Sequence, residues 1–276
     1  MYTFEPLPQA FRVLAWGRGI PSTTLAVMSA RGEIEHLDAV IHCDPGWEHA
    51  GTYDVGDHYS TWLGRHGLHV EVLPTGDIHR QGAEEHIHIP FWVPTGGQLQ
   101  RQCTRHFKIR PQRRRIRELL GYPASHAPHP KLRSVEQWIG FTVEEFSRMK
   151  GSGVQYIVNR WPLVEKRMTR QNCIDYLTEL GLPLPPPSSC VGCPYKDPGR
   201  WLATTTDEMD QAVTFDETNR HNPLAAITEG NCEADALFVY KHLRPLAEAH
   251  FAADASRDPD PRQLSLFACE MGFCGV

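Results

Sequence analysis

Residues 11–16 (FRVLAW), 38–43 (DAVIHC) and 69–73 (HVEVL) are short apolar runs. The stretches between them have the length and punctuation of helices. Strands that alternate with helices return to the same end of a sheet, so they pair in parallel; this excludes a hairpin-built β fold and a helical bundle. A parallel sheet collects its ligand-binding loops beyond the carboxyl ends of the strands. Two such loops stand out. Gly17-Arg18-Gly19-Ile20-Pro21 leads into Ser22-Thr23-Thr24-Leu25, which reads as a helix entered through a hydroxyl cap. A strand, a glycine loop and a helix start suit a phosphate, because backbone N–H groups and the helix dipole converge there. Asp44-Pro45-Gly46-Trp47 follows the second run, and Asp44 taken alone reads as a turn or cap residue.

Further along, a helix is expected from about residue 48 to 65, and residues 76–99, rich in Gly, Pro and His, read as a long loop or lid over the site. Residues 135–141 (VEQWIGF) form another buried strand, with a capped helix from Thr142 and a turn at residues 160–163. A helix over 169–180 stops at Gly181, and a rigid proline-rich segment, 181–187, delivers Cys190-Val191-Gly192-Cys193 to a fixed place. Residues 201–221 read as one helix, and 254–262 as a flexible linker.

The chain has 276 residues, 41% hydrophobic and 22% charged, enough for one large domain with an appendage. A formal net charge of -5 gives no global attraction to nucleic acid. Only the stretch from Arg101 to Arg117, with eight Arg or Lys, could supply a patch for phosphates, tRNA or DNA; the bland account of it is a solvated helix face. The first eight residues lack the build of a signal peptide and no apolar run approaches a membrane span, so a soluble, cytoplasmic protein is expected. Eight cysteines in such a chain do not form a disulfide framework. Cys43 and Cys173 read as plain buried residues, and Cys232 is ambiguous. Cys103, Cys190, Cys193, Cys269 and Cys274 remain as candidates for a metal site, a cluster or redox chemistry. The histidines His86, His88, His126 and His129 sit in polar loops and read as solvated.

Taken in order, the glycine loop, Asp-Pro-Gly-Trp, Cys103-Thr104-Arg105 with Lys108-Ile109 and Pro111, Trp-Pro-Leu, Cys-x-x-Cys-Pro-Tyr and the ending Cys274-Gly275-Val276 resemble the phosphoadenosine phosphosulfate reductase-like branch of the PP-loop (adenine nucleotide α-hydrolase) superfamily. The resemblance implies a doubly wound parallel α/β sheet over residues 1–185 and a loop-rich, cluster-binding region over 186–276. It sets Gly17, Arg18, Gly19, Ser22 and Thr23 at the nucleotide phosphates, although Pro21 stands where that family has an aspartate. Asp44, Gly46 and Trp47 then lie beside the nucleotide, Arg105 and Lys108 supply charge, and Gly140 closes over the adenine. Arg18, Ser22, Lys108 and Cys274 become the candidates for catalytic roles. Cys103, Cys190 and Cys193, with Cys269 or Cys274, become ligands of a [4Fe-4S] cluster, zinc being the rival occupant.

The activity this implies is adenylation and thiolation of a nucleoside, tRNA or DNA. It would use ATP or a related adenine nucleotide, with magnesium, and a sulfur donor or reductant. Two alternatives stay open. One is a sulfonucleotide reductase, though the tail lacks the Glu-Cys-Gly-x-His ending of those enzymes. The other is a catalytically silent, cluster-containing binding subunit.

Overall fold

The computed structural model describes residues 10–85, 89–122, 134–223 and 236–257. The expectations placed on His86, His88, His126, His129, Cys232, Cys269 and Cys274 therefore lie outside the described residues. Five strands form one sheet: β1 (Phe11–Ala15), β2 (Ala39–Asp44), β3 (Val70–Pro74), β4 (Val135–Ile139) and β5 (Ile157–Arg160). All neighbours are parallel, in the order β3-β2-β1-β4-β5. The helices are α1 (Ile20–Ala30), α2 (Ala50–Arg65), α3 (Ile78–Glu84), α4 (Arg110–Leu119), α5 (Pro162–Glu165), α6 (Arg170–Glu179), α7 (Pro198–Leu202), α8 (Thr206–Asn219) and α9 (Phe251–Arg257).

Side chains alternate between the two faces of each strand. Leu14, Val40 and Trp138 pack on one face with Leu25 of α1, Tyr59 and Leu63 of α2, and Cys173 and Leu177 of α6. Val13, Ile41, Val135 and Ile157 pack on the other with Ile116 of α4. The sheet is thus doubly wound, as the resemblance implied. Its order reverses between β1 and β4, and in such sheets the ligand crevice opens at that point, beyond the strands' carboxyl ends.

Four local expectations change. Residues 157–160 were not read as a strand, because four residues, two of them polar, carry too little period; they pair with β4 as the edge strand and run into the short helix α5. Residues 76–85 and 89–99 are no loose lid. They contain α3, and beyond it Ile89, Phe91, Val93 and Leu99 are buried in a core cluster. The alternation of Ile89, Phe91 and Val93 inside a Gly- and Pro-rich stretch was the overlooked signal. The helix expected over 201–221 is two, separated where Thr205 caps α8 in a box with Glu208. The described part of the expected linker, 254–257, is the end of α9, where buried Asp254 accepts a 2.8 Å bond from the Tyr240 hydroxyl.

Candidate functional site

At the carboxyl end of β1, Arg18 turns the chain with φ 56°, and α1 begins at Ile20 with Gly19 as its cap. The hydroxyl cap expected there is absent, because each hydroxyl has a local partner. Ser22 Oγ donates to Gly19 O at 3.2 Å, Thr24 Oγ1 donates to Ile20 O at 3.0 Å, and Thr23 Oγ1 accepts from Trp16 Nε1 at 3.1 Å. Proline at the second helical position has no N–H, so the first-turn amides without an intrahelical acceptor are those of Ile20 and Ser22. From the other side of the switch point the end of β4 presses on this turn. A Cβ on Gly140 would lie 2.5 Å from Ser22 N and 2.6 Å from its Cα. Gly140 therefore closes over the phosphate-type loop.

The Arg18 side chain lies flat on α2. A Cβ on Gly56 would come within 2.4–2.6 Å of its Cδ, Nε and Cζ. Its guanidinium stands over the Trp16 ring and donates to Asp57 Oδ1 at 3.1 Å. Beside it is a buried charge cluster. Lys108 Nζ meets Glu48 Oε1 at 2.7 Å, and His42 Nε2 stands 3.9 Å from Glu48 Oε2 while its Nδ1 faces Trp16 O at 3.0 Å. Burial pushes His42 down to about 4, and neighbouring Arg18 and Lys108 push the same way, so the imidazole is neutral. Burial would raise the Glu48 carboxyl, but Lys108 and Arg18 outweigh it and hold it below the usual range. Two buried cations thus face one buried carboxylate. Arg18 Nε, His42 Nε2, Glu48 Oε2 and Thr52 Oγ1 are buried there with no hydrogen-bond partner. Unpartnered buried polar atoms with two cations among them, at the crevice of a parallel sheet, suit an anion.

Asp44 organises the loop between. Its Oδ1 accepts from Gly46 N and from the Tyr53 hydroxyl, both at 2.8 Å, and Tyr53 in turn accepts from Glu48 N at 3.1 Å. Gly46 has φ 78°, and a Cβ on it would meet Gly76 O at 2.6 Å. Trp47 points away from the phosphate-type loop. Its ring packs on His79 and Phe215, and its Nε1 donates to Gln211 Oε1 at 2.9 Å. Trp47 is therefore a floor for the thiol turn rather than a wall beside the phosphate-type loop.

That turn is stitched to the same loop. Val191 N donates to Trp47 O at 3.0 Å, His49 N donates to Ser189 O, and Glu48 and Cys190 form an antiparallel bridge. Gly192 is the residue that allows the contact, since a Cβ there would stand 2.5 Å from the Trp47 ring. Cys103, Cys190 and Cys193 line one cavity of about 390 Å³, open mouth included, with Trp47, Ile78, Phe215, Arg101 and Tyr195 also in its wall. None of the three is disulfide-bonded, and neither are Cys43 and Cys173, which burial pushes up to about 12 and renders inert. Among the described residues, no three His, Cys, Asp or Glu side chains stand close enough to hold a single metal ion. A zinc ion needs its sulfurs about 2.3 Å from one centre, whereas a four-iron cubane spans thiolates set farther apart.

Three participants went unread in the sequence: His42, Glu48 and Lys196. Lys196, three residues past Cys193, is buried over the Trp201 ring at 4.2 Å and donates to Thr204 Oγ1 at 3.2 Å. Burial lowers it to about 7, against an opposing pull from Cys193. Its place after Cys-x-x-Cys-Pro-Tyr was the available signal. Nothing local to Glu48 announces a partner 60 residues away. Arg105 is exposed, unlike Lys108, and both tail cysteines lie outside the described residues.

No protein-family model matches the chain, and no curated protein matches it. A similar solved structure is the crystal structure of a phosphoadenylyl-sulfate (PAPS) reductase from Candida auris in its phosphate complex. It is 15% identical, with a TM-score of 0.41, over 65% of this chain and 76% of that one. A likeness of that size decides neither family nor activity.

Proposed function

We propose that this chain is a PP-loop-type enzyme that binds an adenine nucleotide at the β1–β4 crevice and carries out sulfur chemistry beside a thiolate-held iron–sulfur centre. The observation that carries the reading is the double engagement of Glu48. Its side chain holds Lys108 in the charge cluster with His42 and Arg18, and its backbone fixes Cys190 in the thiol cavity, so the cationic cluster and the thiols share one loop. Cys103, Cys190 and Cys193 fit a cluster in donor type and in their common cavity, and a tail cysteine, Cys269 or Cys274, would complete four ligands. When bound, such a centre supplies sulfide, electrons or charge stabilisation.

In the thiolation form of the reaction an acceptor carbonyl oxygen attacks the α-phosphorus of ATP and pyrophosphate leaves. A sulfur nucleophile then displaces AMP from the activated carbon. The amides of Ile20 and Ser22 and the Lys108 ammonium would meet the charge on the departing pyrophosphate, and a magnesium ion would neutralise part of that charge. Pro21 contributes no carboxylate for that magnesium. The sulfonucleotide-reductase form uses the same crevice for a phosphosulfate.

Anaerobically purified protein is expected to be brown and to hold roughly four irons per chain. A colourless, zinc-loaded protein would sink the cluster assignment. Pyrophosphate released from ATP, rather than sulfite released from a phosphosulfate, identifies the thiolation form; sulfite without pyrophosphate overturns it. Neither product, with nucleotide still bound, would leave a silent binding subunit.

A further inference from the structure

The segment between Cys103 and α4 is not a regular α-helix. Residues Arg105–Ile109 form one π-helical turn, closed by Arg110 N donating to Arg105 O, before α4 continues from Arg110. The extra residue sets which arginines share a face. At about 100° per residue, the nine steps from Arg105 to Arg114 would place them on opposite sides of an unbroken α-helix. A π turn holds about 4.4 residues, so Arg110 lies only about 50° around the axis from Arg105, and Arg114 about 40° further; the three share one quarter of the surface. All three are exposed and have no partner among the described residues. The opposite face, Phe107, Lys108, Gln112 and Ile116, is buried.

Neighbouring cations are committed elsewhere. Arg115 is held by Glu71 and Glu118, Arg113 donates to Ser152 O, Arg101 stands over the Tyr195 ring, and Lys108 pairs with Glu48. The column is therefore a sorted subset of the basic stretch, in a chain whose net charge is -5. Its pitch, roughly 6 Å per turn, is close to the separation of consecutive phosphates along a polynucleotide strand. Guanidinium forks suit phosphate oxygens better than ammonium groups do. A membrane surface fits less well, because the apolar side of α4 is spent on the sheet: Ile116 is buried, and Leu119 and Leu120 pack with it. The column starts two residues past Cys103, which lines the thiol cavity.

We propose that Arg105, Arg110 and Arg114 form a contact track for the phosphodiester backbone of a single nucleic-acid strand, whose end reaches the thiol cavity. The destination of that end rests on the function proposed above; the track itself does not.

The test is equilibrium binding of fluorescent 20-nucleotide DNA and RNA strands to the full chain across a salt series, with ATP binding measured in parallel. Three phosphate contacts predict a log–log salt slope of at least about -2, and Arg110→Gln with Arg114→Gln is expected to reduce it by about 1.4. The melting temperature and ATP affinity of that double variant should match the parent, since both side chains are exposed and neither belongs to the crevice. A preference for RNA or for DNA would name the strand. No strand binding at low salt, an unchanged slope in the double variant, or binding to anionic lipid vesicles in place of either strand would overturn the track. ATP binding without strand binding removes the track alone. Strand binding without ATP binding removes the nucleotide reading alone.

Discussion

Glu48 shows how much one side chain can organise. Its carboxylate has no exposure to solvent and lies against Lys108 at 2.7 Å, close to neutral His42 and buried Arg18. Breaking such a pair by removing one partner strands a buried charge and costs roughly 3–5 kcal/mol. The residue beside it gives the sharpest pH signature. His42 is held at about 4 in the folded chain against an ordinary 6.5, so the unfolded state binds the extra proton. Its contribution to stability is complete above pH 6.5 and is lost as the pH falls toward 4, amounting to ~3 kcal/mol over that window. Urea denaturation at pH 7, 5.5 and 4 should show that loss in the parent chain, with a flatter profile in His42→Asn. Equal slopes in both would mean that His42 does not titrate between these limits. The sequence placed His42 inside a strand and Glu48 at a helix start, and gave no means of pairing them with Lys108.

Among the elements, the meeting of β4 with the first turn of α1 decides the crevice. The glycine loop was legible from its position after an apolar run, and Gly140 from the family resemblance. The hydroxyl cap was misjudged because Ser22 and Thr24 bond back to carbonyls of their own turn, an alternative always open to short hydroxyl side chains. Gly140 tolerates no side chain, since its Cβ would sit 2.5 Å from Ser22 N, a backbone atom that cannot rotate away. Gly140→Ala is expected to destabilise the fold by roughly 1–3 kcal/mol and to weaken ATP binding at least tenfold. Calorimetric titration with ATP, beside a thermal melt, checks both. A variant that is destabilised but binds ATP normally would move the nucleotide away from this turn. The π turn at Arg105–Ile109 belongs to the same scale. A count of basic residues finds the stretch but assumes an α period, which sets Arg105 opposite Arg114, whereas the π turn gathers the three arginines on one side.

Over the whole molecule, the boundary drawn at residue 185 meets a core that runs across it. Trp47, Ile78, Phe91 and Phe107 share one apolar cluster with Val191, Trp201, Phe215 and Tyr240. Buried Asp216 accepts from Val239 N at 2.9 Å and from Leu246 N at 3.0 Å, fixing the late loops on α8. Two halves that share buried tryptophans should unfold together. Denaturation followed by tryptophan fluorescence and by far-ultraviolet circular dichroism is expected to give one coincident transition; two separated transitions would show that residues 186–257 fold independently. No helix among the described residues is long and apolar enough to cross a membrane.

The sequence by itself determined the parallel α/β class, four of the five strands, the glycine loop and the set of thiols worth watching. These follow from period, turn chemistry and residue type, all of which act over a few neighbouring positions. Tertiary structure alone decided that Lys108 turns inward to Glu48 while Arg105 turns out, and that Trp47 supports the thiols. Those outcomes depend on which side chains the sheet order brings together across tens of residues. Strand pairing and the inserted π residue set that order, and neither leaves a local trace in the sequence.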